Sequence, residues 1–152
     1  MKCKSKYHLK LIKATIIFVS MLIGLNKPLA AETIETRLAM ADFISEMIQC
    51  AVFYSILASG EDPNGNPIKK REQFQNLSEN IYMISYNLAE EINMKSETLL
   101  AIAEDHSNEM GEAIDFDAIN IRILTKKYGE FCKALVQKPE DRLRYWLLRK
   151  SN

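Results

Sequence analysis

Apolar residues recur three and four positions apart along most of the chain, the spacing that lines one face of a helix rather than one face of a strand. In the first such stretch Ile34, Leu38, Ala41, Ile44, Ile48, Ala51, Val52, Ser55 and Leu57 repeatedly cover one side. Phe43, Met47, Phe53, Tyr54 and Ile56 make its later half apolar nearly all round. An isolated helix in water gains little from that much apolar surface, so this segment is the expected centre of the core. Its end is predicted near Ser59–Gly60, ahead of a punctuating stretch Glu61-Asp62-Pro63-Asn64-Gly65-Asn66-Pro67. There the prolines restrict φ and Gly65 has access to conformations costly to other residues.

A second helix is predicted from about Lys69 to Met94, carrying Phe74, Leu77, Ile81, Ile84, Leu88 and Ile92 on one stripe. Tyr82 and Tyr86 interrupt that stripe at the expected border between buried surface and water. Ser96, Glu97 and Thr98 offer acceptors for the next start, although Leu99 denies Ser96 a full capping box. Leu99, Leu100, Ile102, Ala103 and Met110 then support a shorter helix ending around Gly111. A further start falls near Asp115 or Asp117, with Asp117 as a cap, followed by Ile121, Leu124, Tyr128, Phe131, Cys132, Leu135 and Val136. Pro139 suits the first turn of a last helix, whose Leu143, Trp146 and Leu147 form an apolar face. The fold expected is all-α, a compact bundle of four or five helices.

The amino end follows a different pattern. Lys2, Lys4, Lys6, Lys10 and Lys13 precede an apolar run of 12 residues, Ala14–Leu25, with small residues at Ala30 and Ala31. Basic flank, short apolar segment and small residues at a cut site are the parts of a secretory signal, and the run is shorter than an ordinary membrane span. Residues 1–31 are therefore expected to be a cleavable signal peptide and 32–152 a single helical domain. Leu29 is not the small residue wanted three places before the cut, and an uncleaved anchor is the competing reading. The expected destination is periplasmic or secreted.

Removing 1–31 changes the charge picture. The whole chain is formally neutral, with 20 basic and 20 acidic residues. Six lysines leave with the signal, so the remainder carries 14 basic against 20 acidic residues, a balance of −6. That disfavours a nucleic-acid partner, which calls for a positive surface. Lys69-Lys70-Arg71 and Arg142-x-Arg144 read as solvated clusters. Cys50 and Cys132 remain in the domain, and an oxidising compartment makes them an expected disulfide.

Candidate chemistry is sparse. Cys–His catalysis requires a contact between His106 and Cys50 or Cys132 that these separations do not establish, and it competes with the disulfide. The Asp62-Asn64-Asn66 spacing resembles a calcium loop, but Pro67 stands where glycine is required and Gln73 where a bidentate glutamate is required. His106, Glu109 and Glu112 share a helix face and form a weak candidate metal site with an incomplete ligand set. No cofactor and no catalytic residue is expected. The functional expectation is a small exported helical interaction or modulatory protein, with Tyr82, Tyr86 and Trp146 as contact residues. Its expected partner is an envelope or extracellular protein, or a second copy. The alternative is an envelope small-molecule or metal-binding protein centred on His106.

Overall fold

The computed structural model describes residues 33–60 and 68–150, and from Ile34 onward the chain forms one compact unit. The signal-peptide reading of residues 1–31 and the Asp62–Pro67 turn lie outside the described residues. Five α-helices follow one another: α1, Ile34–Ser59; α2, Ile68–Glu91; α3, Ser96–Ala113; α4, Arg122–Gln137; and α5, Pro139–Lys150. A short 3₁₀ turn, Ala118–Ile121, leads into α4. No strand occurs among the described residues.

The all-round apolarity of α1 is explained by its neighbours, because it packs against α2, α3, α4 and α5. Two apolar clusters meet on it. Phe43, Met47, Phe53 and Tyr54 join Ile81, Met110, Ile114, Leu124, Tyr128 and Leu135. Ile44 and Ile48 pack against Ala89, Ile92 and Leu99. Phe53, Ile44, Ile48, Leu99, Met110 and Leu124 are fully buried, and each such side chain contributes roughly 1.5–3 kcal/mol. A surface ion pair is worth only about 0–1 kcal/mol, so apolar burial dominates the assembly. By length and composition alone α1 is also long and apolar enough to cross a membrane. In the bundle 44% of its apolar stretch is buried, against the other helices.

Cys50 and Cys132 form the expected disulfide, tying α1 to α4 with Cα atoms 5.3 Å apart. Both cysteines are fully buried within the larger apolar cluster. Ser78 of α2 adds a second tie to α1, donating its hydroxyl to the Ala51 carbonyl at 2.8 Å.

Helix ends depart from the sequence reading in an instructive way. α2 stops at Glu91 because Asn93 takes φ 55°, and the Met94 and Asn93 amides bond back to the Ala89 and Glu90 carbonyls. The end of α3 repeats this, with Asp115 at φ 52° and the Phe116 and Asp115 amides bonded to Gly111 and Glu112. Both are Schellman-type stops in which Asn or Asp occupies the left-handed position usually held by glycine. Gly111 therefore serves another purpose: the Phe116 ring lies so close that an added β-carbon would sit 2.4 Å from it. Asp117 does act as a cap, but of the 3₁₀ turn, accepting from the Ile119 amide at 2.9 Å. Ser96 is the first helical residue of α3 rather than its cap, and the cap position is Lys95, without a side-chain bond.

Several stripe positions are also corrected. Ile34, Leu38, Ser55, Ile84 and Leu100 lie at the exposed surface rather than in the core. α1 turns its buried side toward Ala39, Phe43, Met47, Cys50 and Tyr54 as well as Ile44 and Ile48.

Candidate functional site

Polar chemistry in the bundle gathers on the first half of α1, where Asp42 and Glu46 reach to α5 and Ser45 reaches to α3. Glu46 extends to α5, where its carboxylate accepts from both the Nε and a terminal nitrogen of Arg142. It also accepts the indole N–H of Trp146 at 2.9 Å. This bidentate, charge-assisted pairing holds the Arg142 guanidinium above its ordinary pKa. The guanidinium lies over the Tyr145 ring at 4.3 Å from its centroid, within reach of the Phe131 and Trp146 rings. One turn away Asp42 pairs with Lys150 at 2.8 Å. Two charged pairs thus clamp α5 along α1.

Ser45 extends to α3, placing Oγ 3.3 Å from His106 Nε2. The other ring nitrogen, Nδ1, stands 3.8 Å from Glu109 Oε2. Glu109 in turn accepts from Lys127 Nζ at 2.9 Å and from the Tyr128 hydroxyl at 3.0 Å, both on α4. Those two donors, Lys127 first and then Tyr128, hold the Glu109 carboxyl below the usual glutamate range. The same hydroxyl and carboxylate keep Lys127 above the ordinary lysine value. Burial pushes the Tyr128 hydroxyl up.

The order hydroxyl, imidazole, carboxylate is that of a catalytic triad, but the helix that carries Ser45 supplies no oxyanion donors beside it. Ser45 lies inside an unbroken helix, whose main-chain amides are committed to carbonyls one turn back. They do not form the pair of free donors that an acyl-transfer oxyanion needs. The chain of contacts from Ser45 through His106 and Glu109 to Lys127 and Tyr128 braces α1, α3 and α4 together. Sequence reasoning weighed His106 against the cysteines and grouped it with Glu109 and Glu112, and nothing in the spacing of Ser45 and His106 marks their contact.

The candidate metal residues divide accordingly. His106 and Glu109 face each other, with Glu109 already holding Lys127 and Tyr128, while Glu112 is exposed. Among the described residues no group of three or more His, Cys, Asp or Glu side chains is arranged to hold a metal ion.

The three aromatic candidates also separate. Trp146 is half-buried against the core and engaged with Glu46. Tyr82 is half-buried between the two apolar clusters. Tyr86 is exposed, beside Glu90, whose charge raises its hydroxyl pKa. Around it the pattern reading missed two exposed apolar side chains, Met83 at 60% and Ile84 at 51% accessibility. Comparison with protein-family models, curated proteins and solved structures finds no match.

Proposed function

We propose that this chain is a small exported helical protein that acts by binding an envelope or extracellular protein. The observation that carries the proposal is the exposure of Met83, Ile84 and Tyr86 together on the outward half of α2. Asn80 and Asn87 lie exposed beside them, and Glu79 and Glu90 stand at either end. Apolar and aromatic residues within a polar rim are the arrangement through which protein interfaces gain most of their affinity. The contact set is thus Tyr86 with Met83 and Ile84, with half-buried Tyr82 at its edge. Trp146 contributes by holding α5 in place. The basic amino-terminal flank and short apolar run support export, as does the use of both domain cysteines in one disulfide.

A photocrosslinking residue at position 83 in the natively exported protein tests this reading. The expected result is one discrete crosslinked partner and an equimolar complex. Ile84→Asp with Tyr86→Ala should weaken that complex at least tenfold, about 1.4 kcal/mol, while leaving the helical spectrum unchanged. Loss of the crosslink when the residue moves to the opposite face of α2 completes the control. No discrete product, or an affinity indifferent to both substitutions, overturns the proposal.

A further inference from the structure

Charge is divided along the folded domain. Residues 72–117, covering most of α2 and all of α3, hold eleven Asp and Glu against Lys95 alone. Residues 118–150, covering α4 and α5, hold nine Lys and Arg against Glu130, Glu140 and Asp141. Three of those nine cations are used internally: Lys127 with Glu109, Arg142 with Glu46 and Lys150 with Asp42. Arg122, Lys126, Lys133, Lys138, Arg144 and Arg149 remain at the exposed surface.

On α5, apolar groups are interleaved with Arg144 and Arg149. On the outward side of α5, Leu148 is 62% exposed and lies one turn from Arg144. Tyr145, also exposed, receives a hydrogen bond from Arg149 at 2.9 Å on its hydroxyl. Tyr145 borders a groove of about 370 Å³ between α4 and α5, lined also by Phe131, Ala134, Lys138 and Asp141. Arginines flanking an exposed leucine and tyrosine match a bilayer interface. The cations meet phosphate groups, while the apolar side chains enter the headgroup–acyl boundary.

We propose that the α4–α5 face docks on the surface of an anionic phospholipid bilayer, with the acidic residues of 72–117, which follow the basic Lys69-Lys70-Arg71 at the start of α2, giving the domain an electrostatic polarity that favours this approach. The face is separate from the Met83–Tyr86 patch, so the proposal stands or falls independently of the partner reading.

Flotation of the full chain with vesicles provides the test, comparing equal parts phosphatidylglycerol and phosphatidylcholine with phosphatidylcholine alone. Binding is expected to be at least tenfold stronger to the anionic vesicles and to weaken as salt rises from low to moderate concentration. Arg144→Glu with Arg149→Glu should remove at least tenfold of that binding, Leu148→Ser a smaller part, and Leu100→Ser on α3 none. A helical spectrum like that of the unaltered chain shows that the variants fold. Equal binding to neutral vesicles overturns the proposal, as does undiminished binding of the double charge reversal, the result expected if residues 14–25 alone carried the attachment. Competition by inorganic phosphate at matched ionic strength would also overturn it, by showing a simple anion site. So would a doubled mass without vesicles that the charge reversal abolishes, by assigning the face to a second copy of the chain.

Discussion

Trp146 donates its indole N–H to the Glu46 carboxylate at 2.9 Å, so the chain's one tryptophan reports directly on whether α5 is seated against α1. The same carboxylate holds Arg142 in a partly buried setting. Glu46→Ala is therefore expected to cost about 1.5–3 kcal/mol, the range for hydrogen bonds to charged groups. Trp146→Phe, which leaves the Arg142 pair in place, is expected to cost less, near 1 kcal/mol. Urea denaturation measures both. In the Glu46 variant, tryptophan emission is expected to shift to longer wavelength under native conditions as α5 loosens.

The Cys50–Cys132 bridge closes most of the domain into one loop, and both cysteines are inaccessible to solvent. Replacing both by alanine is expected to lower unfolding stability by about 2–4 kcal/mol, chiefly by releasing the unfolded chain. Reductant added to the native protein should leave the bond intact over a period in which the same reductant in denaturant cleaves it completely. Thiol labelling followed by mass measurement distinguishes the two. Rapid reduction of the native protein would mean that α1 and α4 separate readily.

Glu109 gives the stability a defined dependence on acid. Its carboxyl titrates below the ordinary value because Lys127 and Tyr128 donate to its charged form. A group with a depressed folded pKa contributes stability above its unfolded pKa, about 4.3 for glutamate, and loses that contribution as pH falls through the lower folded value. Partial exposure of Glu109 and Lys127 keeps the effect modest. Thermal midpoints of the unaltered chain should exceed those of Glu109→Gln at pH 6, and this contribution to the gap should narrow toward pH 3. A gap independent of pH would exclude Glu109 as an acid-sensitive brace.

Intact mass of the protein recovered from its native source examines the amino end. Processing is expected to leave a start near Glu32, with a two-hydrogen deficit assigned by peptide mapping to Cys50–Cys132. Retention of residues 1–31 would favour the anchored alternative.

Helix type, and a number of four or five, were legible because burial needs a face, and Phe74, Leu77, Ile81 and Leu88 reveal one by their spacing alone. Helix ends were less legible. The α2 and α3 stops use Asn93 and Asp115 in left-handed conformations, where the usual glycine signal is missing. The candidate site was least legible. Ser45 meets His106 across 61 positions and Glu46 meets Trp146 across 100, and periodicity carries no information about contacts between distant segments.

The sequence by itself determined an all-helical domain with a central apolar helix and a single available cysteine pairing, because these follow from local spacing and composition. The tertiary structure decided which side of each helix faced inward, turning Ile84 and Leu100 outward while enclosing Met110 and Tyr128. It also decided that Trp146 braces the fold while Tyr86 meets solvent. Those outcomes depend on which neighbours cover each helix, and that covering is a property of the packed assembly rather than of any segment within it.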